Sequence, residues 1–332
     1  MGEYSQPTLT ANSCQQNSKS GIAYFDTTEG TARQNICTNN QCHGIYVGAQ
    51  AQPNLEANTC QQNKEHGIFY TGSASGTARQ NICVGNVMHG IHVAKQTQPI
   101  LDTNICRENK ASGISYVDSA GGTARQNTCV GNAMHGICVI EQSQPTLEAN
   151  TCQENRQVGI FYTGSAGGTS RQNTCMGNEE NGIYVGEQAQ PTLEVNTCQQ
   201  NKVGGIRYGG SARGIARQNE CSRNVQHGIY VAEQAQPTLE ANTCQQNKGS
   251  GITYSASAGG IARQNTCANN GVDGIAVWGQ AQPVLESNQC IDNCGDGISV
   301  AETADSTLND NHCTRNKGQQ VNDLRKRWWK PW

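Results

Sequence analysis

Asn58-Thr59-Cys60-Gln61-Gln62-Asn63, with Gly67-Ile68 following four residues later, is the stretch that decides the fold. The pattern N-x-C-x-x-N-x-x-x-G-I returns every 23 residues, its first Asn standing at 12, 35, 58 and so on to 311 without an insertion or deletion. The Cys and the second Asn are present in all fourteen copies; Gly-Ile is present in thirteen and becomes Gln320-Val321 in the last. A fixed short period of this kind marks a solenoid, in which each repeat buries its apolar face against its neighbours. Within a copy the apolar positions alternate. Ile68 and Tyr70 read as inward and Phe69 as outward; Leu55 is inward beside an outward Glu56, and Cys60 is inward between Thr59 and Gln61. The unit is too short for a helix plus strands, so the alternation predicts three short strands per turn, bent at the two Asn positions: an all-β, triangular parallel β-helix. Stacked Asn side chains are expected to satisfy the backbone at the bends, and Gly67 and its equivalents to release the chain from the second bend.

A second period of 46 lies over the first. Odd coils carry an inward Tyr followed by Ala (Tyr24 with Ala32, Tyr70 with Ala78), and even coils carry Val followed by Leu (Val47 with Leu55, Val93 with Leu101). The swap keeps the volume of each turn roughly constant. Outside, the position two before the first Asn alternates in sign: Arg33, Glu56, Arg79, Asp102, Arg125, Glu148, Arg171, Glu194, Arg217, Glu240, Arg263 and Glu286. Opposite charges on adjacent strands attract, and a slip of one coil would set like against like.

The chain has 332 residues, a hydrophobic content of 35% and 38 glycines, which suits a narrow tube better than a thick core. The net charge of −3 gives no reason to expect nucleic acid. Fourteen of the seventeen cysteines share one repeat position and are expected to stack as thiols. Coils roughly 4.8 Å apart hold in-register Cβ atoms beyond the roughly 3.5–4.5 Å that a disulfide prefers. Cys42, Cys138 and Cys294 lie outside that row and read as the reactive thiols. Reduced thiols and the lack of a visible signal peptide point to the cytoplasm, and no membrane span is seen. The repeat is expected to fill residues 1–316. Residues 317–332 are expected to form a helical cap, with Val321, Leu324 and Trp328 on one side, or a basic-aromatic tail.

At these residues the chain resembles the right-handed parallel β-helix repeat proteins of the pectin-lyase-like superfamily. The subclass with short N-x-C-x-x-N-x-x-x-G-I coils occurs in carbohydrate-binding and sugar-hydrolase domains and in F-box-associated β-helices. The resemblance covers about residues 6 to 316 and implies a right-handed β-helix of about 14 coils. It also implies that lyases, hydrolases, epimerases and plain binding modules are all open as functions. Catalytic members usually carry long loops and non-repeating charged clusters, whereas this chain's turns are constant and its charges repeat.

The candidate ligand-binding strip is the outward residue after Gly-Ile: Tyr46, Phe69, His92, Phe161, Tyr184 and Tyr230, interrupted by Ser115, Cys138 and Arg207. Rings along a sheet can stack on sugars or anchor a protein; equally, aromatics simply favour strands. His43, His66, His89, His135 and His227 precede the Gly of their coils and read as exposed titratable groups at a turn. Stacked, they would offer ligands to a soft metal, but no carboxylate recurs to orient them, and no metal or cofactor is expected. If they share space, mutual repulsion depresses their protonation. Repetition of the Arg/acid row argues against a single preorganised catalytic centre. The reading from sequence is therefore a rigid, non-catalytic binding or scaffold module, ~65 Å long, presenting its side to a protein or glycan. A carbohydrate-active enzyme (lyase, hydrolase or epimerase-like) is the alternative, and end-to-end self-association through the open first coil is a third.

Overall fold

A computed structural model describes residues 5–325. It is an all-β, right-handed parallel solenoid of about 14 coils, each supplying one strand, generally of three residues, to each of three parallel sheets. The chain divides into two compact units, Met1–Phe161 with Ser165–Thr174, and Tyr162–Gly164 with Cys175–Trp332. In the first, consecutive coils pair in register as Leu55 with Ala78, Cys60 with Cys83 and Tyr70 with Val93. In the second, Leu239 pairs with Ala262, Cys244 with Cys267 and Val231 with Tyr254. The large-small exchange read from the sequence is present as packing: Tyr70, Ala78, Val93 and Leu101 are all fully buried. The seventeen cysteines are thiols, and those of the repeat row line the core between the sheets. Burial, then the thiols of Cys221 and Cys267, hold Cys244 protonated by raising its pKa well above the ordinary thiol value.

The Asn rows close the bends as a chain of hydrogen bonds. Asn63 donates from Nδ2 to the Cys37 carbonyl (3.1 Å) and to Asn86 Oδ1 (2.9 Å), while its own Oδ1 accepts the N–H and Nδ2 of Asn40. The residue just before each Asn takes a left-handed conformation whatever its type: φ is 56° at Gln34, 52° at Ala57 and 55° at Val195. Such residues cost roughly 1–2 kcal/mol each, and the Asn network on either side holds them there. The repeated Gly has a different basis from the one expected. Gly67 has no left-handed φ; instead a Cβ there would stand 2.5 Å from the Gly90 carbonyl oxygen and 2.8 Å from Cys83 Sγ. It is a packing gap where consecutive turns touch.

The C-terminal end departs from the expected helix. Val321–Asp323 is a strand pairing in register with Ile298, Ser299 and Val300, because its backbone continues the ladder of the previous coil. Trp328 lies outside the described residues. Gln320, standing where earlier coils have Gly, turns its Oε1 to Asn316 Nδ2 (2.9 Å) and so ends the second Asn row. Arg325 donates to the Ser306 carbonyl (2.6 Å) and pairs with Asp323 (2.9 Å).

Candidate functional site

On the first sheet, Arg33, Glu56, Arg79, Asp102, Arg125, Glu148 and Arg171 stand in one row in the first unit. The Arg side chains mostly reach back to the acid one coil earlier: Arg79 to Glu56 (3.0 Å), Arg125 to Asp102 (3.1 Å) and Arg171 to Glu148 (2.8 Å). In the second unit Arg217 pairs with Glu194 (3.1 Å) and Arg263 with Glu240 (3.0 Å), and Glu286 lies in register beyond Arg263. The pairs are solvent-exposed and each contributes little to stability. With each guanidinium facing a carboxylate, the row is a lattice of neutralised charge.

The third sheet of the first unit carries a denser arrangement. Tyr46, Phe69 and His92 face outward in successive coils, and behind them, at the bend, stand His43, His66 and His89. The imidazoles stack on one another, 5.3 Å from His43 to His66 and 5.4 Å from His66 to His89. His92 packs on His66 at 4.5 Å and on Phe69 at 5.2 Å. Phe25 meets Tyr46 at 5.0 Å. Along the outward row Tyr46 meets Phe69 edge-on at 5.8 Å, whereas Phe69 and His92 stack. Phe161 lies apart from this group, flat on His135 at 4.3 Å.

The histidines are not the exposed turn residues that the sequence predicts. His43, His66 and His135 are buried, and each Nδ1 accepts the backbone N–H one coil on: His89 N–H to His66 (3.2 Å), Ser112 N–H to His89 (3.1 Å), Ser250 N–H to His227 (3.2 Å). An acceptor Nδ1 fixes the neutral tautomer with its proton on Nε2. The same position is filled by other acceptors further along: Asp273 Oδ1 receives Asp296 N–H (2.7 Å) and Asp296 Oδ1 receives Gln319 N–H (2.7 Å). Burial lowers the pKa of His43 and His89 to about 4. Burial, then the charges of His92, His89 and His43, lowers that of His66 to about 2. His92 differs: its Nδ1 is buried and has no partner among the described residues. Burial first, then its neighbours His89 and His43, lowers it to about 3, against the pull of the Asp118 carboxylate. Carboxylates on the turn after this sheet are used by the backbone, Asp118 accepting the N–H of Lys95 (2.9 Å) and Glu141 that of Asp118 (3.0 Å).

In the second unit the outward row reads Tyr184, Arg207, Tyr230. The Arg207 guanidinium carbon lies 5.7 Å from the Tyr184 ring centre and 5.5 Å from that of Tyr230. Sequence reading treats Arg207 as an interruption of the aromatic strip; the structure makes it the centre of one. Beside it, a Cβ at Gly186 would stand 2.5 Å from the Tyr184 ring that lies over it.

No group of three or more His, Cys, Asp or Glu among the described residues is arranged to hold a metal ion. Cys138, expected to be reactive, is buried, and burial pushes its pKa up to about 12; Cys294 is the exposed thiol. The open edge of the first coil carries a depression lined by Leu9, Asn12, Cys14, Ile22 and Ala23. No helix among the described residues is long and apolar enough to cross a membrane.

A solenoid of parallel coils closed by Asn rows, with side-chain clusters on its flat outer faces, is the architecture of right-handed β-helix proteins. The profile of the right handed beta helix region family matches residues 1–105, 89–236 and 210–323, and the chain belongs to that family. A sequence comparison with characterised proteins returns no match. Among solved structures the chain is similar to the periplasmic alginate epimerase AlgG, with TM-score 0.64 and 11% identity over 88% of this chain and 76% of that one. It is also similar to the A-modules of two Azotobacter vinelandii mannuronan C-5 epimerases. For AlgE6 the TM-score is 0.61, with 13% identity over 86% of this chain and 90% of that one. For AlgE4 it is 0.54, with 14% identity over 89% of each. At such identities the likeness is one of fold.

These findings overturn two expectations. The expectation of a non-catalytic scaffold is not upheld, since the solved structures to which the chain is similar are epimerases. The cytoplasmic assignment gives way as well, since AlgG is periplasmic. The physical reason that the thiols misled is that in-register Cβ atoms roughly 4.8 Å apart are too far for an unstrained disulfide in any compartment.

Proposed function

We propose that this chain is a carbohydrate-active enzyme of the epimerase or lyase type, seating a polysaccharide along the outer face of the third sheet in its first unit. The observation that carries the reading is His92, an imidazole on an aromatic row whose Nδ1 has no partner, while Nδ1 of His66 and His89 behind it serves the backbone. His92 is part-exposed on this outer face and its imidazole is neutral at ordinary pH; with the ring proton on the buried Nδ1, Nε2 is the nitrogen left free to meet a bound sugar and accept its proton. The Asp118 charge stabilises the imidazolium once it forms, as carboxylates do for catalytic histidines. Phe69, packed against His92, fixes its ring plane, and Tyr46 stands one coil further along the same outward row. The likeness to epimerases of uronate polysaccharides supports this choice over a binder.

The test is incubation with mannuronan, polygalacturonate, xylan and a neutral glucan, following C-5 inversion by NMR, unsaturated ends by absorbance and new reducing ends. One polysaccharide is expected to be converted, His92→Gln to lower kcat by about a hundredfold or more, and Phe69→Ala to act mainly on KM. Wild-type inertness towards the whole panel, or a His92→Gln protein as active as wild type, sinks the proposal.

A further inference from the structure

We infer that Arg207, held between Tyr184 and Tyr230 on the third sheet of the second unit, is a subsite for the carboxylate of an acidic sugar unit; this rests on the polysaccharide reading above. A guanidinium on a strand face ordinarily either pairs fully with a neighbouring acid or swings free in water. Arg207 does neither. The tyrosine rings on the two adjacent strands cover its faces, and its side chain is only about a third exposed, at 35%. Its Nε–H is buried with no acceptor among the described residues. The nearest acid, Glu233, stands 3.9 Å from Nη2, outside hydrogen-bonding distance, because its Oε2 is committed to the backbone N–H of Gly210 at 2.7 Å.

The result is a planar fork fixed in direction; with Nε–H buried, the Nη1 and Nη2 donors at its end are the ones left for a ligand. A carboxylate matches two parallel N–H donors on one edge of a guanidinium, whereas a neutral hydroxyl satisfies one. The flanking tyrosines hold the fork in place before ligand arrives, which lowers the ordering cost of binding. Gly209 places no side chain beside the fork, where a Cβ would stand 3.2 Å from the Tyr184 hydroxyl and 3.3 Å from Glu233 Oε1. Glu233 and Glu187 also face this region, and Glu187 Oε2 is likewise bound to a backbone N–H, that of Gly164 at 3.0 Å. Their charge opposes an anion. Glu233 is therefore a competitor for the fork, and removing its charge strengthens the site.

The experiment is calorimetric titration of the full chain with oligogalacturonate, its methyl ester, a sulfated carrageenan oligosaccharide and a neutral cello-oligosaccharide. Oligogalacturonate is expected to bind more tightly than its ester. Arg207→Gln weakens it about tenfold or more, the worth of a hydrogen bond to a charged group. Arg207→Lys does not restore the loss, having no fork, and Glu233→Gln tightens binding. Equal binding of acid and ester, preference for the sulfated chain, or indifference to both Arg207→Gln and Glu233→Gln overturns the inference. Should Arg207→Gln fail to fold, the Glu233→Gln arm still decides. If no oligosaccharide binds at all, the polysaccharide reading falls with it; if neutral and acidic chains bind alike, only the Arg207 subsite falls.

Discussion

Gly67 shows how a residue can be read correctly and explained wrongly. Its recurrence in thirteen coils is visible in the sequence, but the cause is contact between turns and not freedom of φ. Gly67→Ala places a methyl 2.5 Å from a carbonyl oxygen and 2.8 Å from a thiol. Overpacking of this kind costs about 1–3 kcal/mol, so urea denaturation is expected to show a lower midpoint with little change of slope. The bend histidines carry a second prediction. In the unfolded chain an imidazole titrates near roughly 6.5; in the folded chain burial and neighbouring charge lower His66 to about 2. Above the unfolded value neither state binds the proton and nothing is lost. As pH falls from there towards the folded value, the unfolded state gains protons that the folded state refuses, and stability declines. Stability measured by urea between pH 7 and 4 is expected to drop steadily, and His66→Asn to shallow that slope. A flat profile refutes the buried neutral ladder.

At the scale of the element, the unit of stability is the row that each strand or bend forms with its equivalents. Asn63 satisfies the Cys37 carbonyl and receives Asn40, so Asn63→Ala leaves two or more buried polar groups without partners. Each such group costs about 1–3 kcal/mol, and hydrogen exchange is expected to rise first in the coils containing Asn40 and Asn86. Gln320 is the element that stops this row, receiving Asn316 where another Asn would stand. Gln320→Gly restores the repeat residue and removes the stop; faster exchange confined to the last coil is the expected result. Strand positions and the Asn rows were legible because each side chain repeats its own contacts. The left-handed residues before each Asn were not, since Gln34, Ala57 and Val195 share no side-chain property: the backbone corner is imposed by the coil.

At the scale of the whole molecule, the thiols separate fold from environment. Under native conditions a thiol reagent is expected to reach Cys294 first and Cys42 next, with the row from Cys37 to Cys290 reacting only after denaturation. Omitting reductant is expected to leave the melting temperature unchanged, because no disulfide forms or breaks; a shift of several degrees contradicts this. By itself the sequence determined the all-β coil, its period, its register, the inward residues and the alternating charge row, because a strict repeat converts one-dimensional spacing into vertical contact. It could not determine that His66 and His89 spend Nδ1 on the backbone while His92 does not, or that Arg207 is clamped by tyrosines one coil to either side. Those depend on which way a side chain turns from a known position. That choice is made by neighbours 23 residues away in the chain, packed at the van der Waals contact that only the closed tertiary structure brings about.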